Sequence, residues 1–87
     1  MIILSSNEEL LAYLLSLAGV LDEVGLKVEA EDIRFAARQG AGLSTEFLGE
    51  SLLAMRRVSV AVHRALGSEQ IADFGRVEQQ LAFALKR

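Results

Sequence analysis

The chain has 87 residues, 52% of them hydrophobic, a formal net charge of −3 and no Cys. That length supports one domain, 1–87, and the missing Cys excludes disulfides and thiolate metal sites. The acidic balance argues against a general polyanion binder while leaving room for a local basic face, and the apolar fraction exceeds what a monomer of this size easily hides, which points either to an unusually Leu- and Ala-rich core or, the favoured reading, to a surface covered by another chain.

Residues 1–4 are apolar and too few to classify. Ser6 and Glu9 then form a capping-box pattern, so a first helix is expected over 7–24. Its stripe, Leu10, Leu14, Leu17, Leu21 and Val24, alternates spacings of four and three, and Leu11, Leu15 and Ala18 widen the apolar arc. Ala12, Ser16 and Gly19 on the other side are small enough to let a second backbone come close. Gly25 is the natural stop. The apolar run from Leu10 to Leu21 spans about 18 Å, well short of a bilayer core. Glu8 and Glu9 stand where a signal peptide would carry positive charge. No membrane segment is expected, and the protein reads as cytoplasmic.

The second helix, over 28–39, carries Glu29, Glu31 and Asp32 early and Arg34 and Arg38 late, the order that suits the helix dipole. Ile33, Ala36 and Ala37 give it a thin core face, with Phe35 off that face. Gly40-Ala41-Gly42 ends it. In the third helix, 45–66, Ser44 is the expected N-cap and Leu43 with Leu48 the hydrophobic staple. Leu48, Leu52, Met55, Val62 and Leu66 form its stripe, broken once by Ser59. Gly67-Ser68 caps the fourth helix, 69–86, which places Ile71, Phe74, Val77, Leu81 and Leu85 on one side. No Pro interrupts any of the four. The expected fold is all-α, a four-helix bundle made of two antiparallel helical hairpins.

A displacement of 38 residues lays the first half on the second, matching Leu10 with Leu48, Leu14 with Leu52, Leu15 with Leu53, Val20 with Val58, Val24 with Val62 and Ile33 with Ile71 among others. Two readings account for this: a duplicated long-helix/short-helix hairpin, or an ordinary bundle whose periodicity produces the matches.

Catalytic machinery is not marked. His63 follows Ser59 by four residues, but an orienting acid and an oxyanion site are missing from the pattern. One His and no Glu-x-x-His pair leave no metal site, and Glu46 with Glu50 suit the first turns of a helix as dipole partners. Gly40-Ala41-Gly42-Leu43-Ser44-Thr45 has the glycines of a phosphate loop without the Walker Lys or a preceding strand, and reads as a helix connector. No cofactor is implied. The most suggestive group is Arg56, Arg57, His63 and Arg64, which heptad spacing places along one side of the third helix with Val60 among them. Phe35 and Phe83 fall on polar faces of their helices, and exposed aromatics are frequent interface anchors. The residues Phe35, Arg56, Arg57, Val60, His63, Arg64 and Phe83 are therefore the expected interface.

In size, acidity and helicity the chain is similar in general form to bacterial immunity and antitoxin proteins, and that resemblance implies a toxin-like protein as partner. The expected function is non-enzymatic: a protein–protein interaction module that self-associates or binds a protein partner. The alternative is a small nucleic-acid-binding regulator using the basic face of the third helix, against which the overall charge and the acidic, Gln-rich fourth helix speak.

Overall fold

A computed structural model describes residues 7–38 and 45–85. Four helices follow one another: α1 (Asn7–Glu23), α2 (Lys27–Arg38), α3 (Thr45–Ala65) and α4 (Ser68–Leu85). Every helix lies within one residue of its expected ends. The fold is the expected all-α four-helix protein, with each helix packed against its neighbour in sequence. The expected capping residues Ser6 and Ser44, Leu43 of the expected staple with Leu48, and the connector Gly40-Ala41-Gly42 lie outside the described residues.

The turn between α1 and α2 is closed by backbone chemistry. Gly25 adopts φ +86°, its N–H donates to the Asp22 carbonyl at 3.0 Å, and the Leu26 N–H donates to the Leu21 carbonyl at 2.8 Å. This is a Schellman motif with glycine in the left-handed position that side chains disfavour. Leu26, just past the turn, packs back on the core. Val24 was expected on the α1 core stripe; it is exposed instead, because α1 ends at Glu23 and the turn swings Val24 outwards. At the start of α4, Gly67 rather than Ser68 is the N-cap. Its N–H is accepted by the side-chain oxygen of Gln70 at 3.1 Å, the reciprocal half of a capping box.

The core is one cluster. α1 contributes Leu10, Leu14, Leu17, Ala18 and Leu21; α2 contributes Ala30, Ile33, Ala36 and Ala37; α4 contributes Phe74, Val77 and Leu81. Small residues on α2 let it sit close between α1 and α3. In α3 the buried face is broader than its expected stripe: Phe47, Ser51, Ala54 and Val58 are buried alongside Leu52, Met55 and Val62, and Leu48 is only half-buried. The reason is position, since α3 has α2 on one flank and α4 on the other. Ser51 is tolerated there because its Oγ donates to the Phe47 carbonyl at 2.7 Å. Ile71 and Leu85 are half-buried at the margin of α4.

Two points about faces follow from this arrangement. The small face of α1 is unoccupied: Ala12 and Ser16 are exposed, and nothing approaches within 4 Å of a Cβ placed on Gly19. The two halves related by 38 residues bury different positions as well. Leu14 and Leu52 are both buried, but Ala18 is buried where Arg56 is exposed, and Val62 is buried where Val24 is exposed. Other pairs agree, with Leu17 and Met55 and also Ala36 and Phe74 buried in both halves, so the two halves share part of a core pattern and differ in the rest.

Candidate functional site

Surface chemistry concentrates on the outer side of α2 and α3. The two helices pack through the shared core, and an ion pair at their surface, Arg57 to Asp32 at 3.2 Å, marks their register. Counting from that pair, four residues back along α2 and three forward along α3 reach Val28 and Val60. Three forward on α2 and four back on α3 reach Phe35 and Leu53. Each of these two levels therefore carries an apolar side chain from both helices, and the levels are about 10 Å apart along the helix axes. All four side chains are exposed: Val28 78%, Val60 63%, Phe35 52% and Leu53 51%.

Between the two apolar levels lie charges of opposite sign on the two helices. α2 has Glu31 and Asp32; α3 has Arg56 and Arg57. On each helix these adjacent residues flank the apolar line, since successive positions are about 100° apart around the axis. Beside this face runs a groove of about 420 Å³ lined by Leu26, Glu29, Arg57, Val60, Ala61 and Arg64 with Ala65.

The expected interface residues divide between three places. Phe35, Arg57, Val60 and Arg64 belong to the α2/α3 face and its groove. Arg56 and His63 line the other edge of α3, where Arg56 lies 3.6 Å from Glu78 and the His63 ring meets Phe74 edge-on at 6.4 Å. Phe83, although 81% exposed, is on the flank of α4 away from α3, some 140° from Glu78 around the helix, and joins neither group. Val28 and Leu53 are the members that the sequence reading missed; the signal was present, since each stands seven residues from Phe35 or Val60 on its own helix.

The basic group is not one strip. Arg57 is engaged by Asp32 and Arg56 by Glu78, while Arg64 has no ion pair among the described residues. His63 Nδ1 donates to the Ser59 carbonyl at 2.8 Å, leaving Ser59 Oγ at 3.5 Å. With its proton committed to a backbone oxygen, Nδ1 offers no lone pair to that hydroxyl.

Elsewhere, charges tie α1 to α2. Arg34 bridges Asp22 and Glu31, and Lys27 lies 3.8 Å from Asp22. The hydrogen bond from Arg34 lowers the Asp22 pKa, and the same contact raises that of Arg34. A second cleft, about 220 Å³, opens between α1 and the start of α4, lined by Tyr13, Ser16, Leu17, Val20, Gln70 and Asp73 with Leu66. Burial, and then the negative charge of Asp73, hold the Tyr13 phenol well above the usual tyrosine range. Among the described residues no group of three or more His, Asp or Glu side chains is placed to hold a metal ion, and no helix is long and apolar enough to cross a membrane.

Comparison with protein-family models, with curated proteins and with solved structures finds no match to this chain.

Proposed function

We propose that the protein is a non-enzymatic protein–protein interaction module that docks through the outer face of α2 and α3. The observation that supports this reading is the set Val28, Phe35, Leu53 and Val60, four large apolar side chains on adjacent helices, each at least half exposed and brought to two levels by one register. Scattered apolar residues on a surface are ordinary, whereas a clustered set rimmed by charge is the composition of a docking site. Two of the three arginines beside the set are already held by carboxylates, which favours a protein over a polyanion as the partner.

The test is a photo-crosslinking amino acid placed at Phe35, with a second placement at Ala12 on the bare face of α1, in the native cell. Covalent protein adducts of discrete mass from position 35 and not from position 12 are the expected outcome. No protein adduct from position 35, or equal adducts from both, overturns the reading.

A further inference from the structure

We infer that the partner seated on the α2/α3 face is a second copy of this chain, with α2 of each copy lying over α3 of the other about a two-fold axis that runs along the seam between the helices. The inference rests on the interaction reading above and names its occupant.

Rotation about an axis parallel to the helices keeps every residue at its own level while exchanging α2 for α3. Val28 then lies over the partner's Val60 and Phe35 over the partner's Leu53, so each apolar level closes on an apolar level. Between them Asp32 lies over the partner's Arg57, and Arg57 over the partner's Asp32. Together with the ion pair already present in each chain, this makes a ring of four charges alternating in sign around the axis. At the outer edges Glu31 comes over the partner's Arg56. Within each chain Glu31 also meets Arg34 and Arg38, and Arg56 meets Glu78; the 61% exposure of the Glu31 side chain and the 57% exposure of Arg56 leave both within reach of the partner as well.

The other two-fold arrangement, with the axis across the helices, fails on the same residues. It sets α2 over α2 and α3 over α3, bringing Glu31 and Asp32 over their own copies and Arg56 and Arg57 over theirs. Like charges held together in an interface cost several kcal/mol and suppress that pairing. Of these two arrangements only the first makes the face complementary to itself, which is the property an isologous dimer needs. The outer face of α1 has no such match, since its charges Glu8, Glu9 and Glu23 are all acidic.

The paired stretch is about 20 Å long and two helix diameters wide, on the order of 400 Å² per copy. That lies below the area of a standard interface, so the dimer forms and dissociates with concentration. Four helices, two from each chain, would then enclose Val28, Phe35, Leu53 and Val60 as a second small core.

Sedimentation equilibrium from about 10 μM to about 1 mM chain tests this. The wild-type chain should show a monomer–dimer equilibrium. Glu31→Lys and Arg56→Glu should each weaken dimerisation about tenfold or more, because each sets like charges over one another twice in its own dimer. An equimolar mixture of the two variants should restore association to within about threefold of wild type, as both contacts become attractive in the mixed dimer. Both positions are exposed, and helical circular dichroism checks that each variant is folded. A mixture no tighter than its components, or variants that dimerise like wild type, overturns the inference. A chain that stays monomeric at about 1 mM also overturns it; if position 35 still crosslinks to a different protein the interaction reading stands, and if it crosslinks to nothing both fall.

Discussion

Arg57 on α3 and Asp32 on α2 lie 3.2 Å apart at the surface, between one apolar level above and one below. Both side chains are substantially solvated, at 49% and 34% exposure, so their attraction is screened and the pair adds little to folding. Arg57→Ala should lower unfolding stability by less than about 1 kcal/mol in urea denaturation. The same change removes two of the four charges around the proposed axis, and its larger effect should appear in sedimentation at high protein concentration. A loss of several kcal/mol in folding, with association unchanged, would assign the pair to the fold alone.

Asp22 links acidity to the α1–α2 hairpin. The Arg34 hydrogen bond lowers its folded pKa below the unfolded value, so its contribution to stability is present above the unfolded pKa and is lost as pH falls through the folded one. Asp22→Asn should flatten the acid limb of stability against pH, measured as urea midpoints from neutral pH downwards. An acid limb with unchanged slope would show that other carboxylates dominate it.

Tyr13 reports on the opposite end of the scale. It is the single tyrosine in a chain without Trp, so ultraviolet absorbance follows its ionisation alone. Burial first and Asp73 second raise its folded pKa, and stability should therefore fall as pH rises from the unfolded tyrosine pKa towards the folded one. At about pH 11, where a free tyrosine is ionised, the native phenol should remain protonated and ionise only as the helices unfold. Tyr13→Phe should remove that part of the alkaline loss. A phenol titrating near its ordinary pKa in the folded protein would place Tyr13 in contact with water.

Two glycines of the first half should respond in opposite directions. Gly25→Ala forces a side chain into the left-handed turn at φ +86° and should cost about 1–2 kcal/mol. Gly19→Ala, inside α1 with open space around the new methyl, should raise stability by about 0.5–1 kcal/mol. Gly19 is on α1, outside the α2/α3 face, so dimerisation should not change. If Gly19→Ala weakens association, the bare side of α1 is the docking surface instead.

The helices were legible because their apolar positions and stop signals agree: Leu10, Leu14, Leu17 and Leu21 are all buried, and Gly25 turns the chain where expected. Periodicity names one face of a helix and is silent on how many neighbours it has, which is why Phe47, Ala54 and Val58 of the doubly flanked α3 went unseen. The candidate site was half legible for a related reason. Phe35 and Val60 stand out as apolar residues on polar faces, but their partners Leu53 and Val28 gain meaning only once core packing sets α2 beside α3, with Asp32 level with Arg57. Register between helices is a tertiary quantity, and no single helix carries it.

Each helix of this protein packs on the one before it and the one after it. The chain entropy lost in bringing such partners together is small, because short connections already hold them near. Contacts between neighbouring helices can form over short loops, and the docking of α3 on α2 completes the single core. Folding should accordingly be fast, in the microsecond-to-millisecond range of helical domains rich in local contacts, with the two-chain association following as a separate, concentration-dependent step.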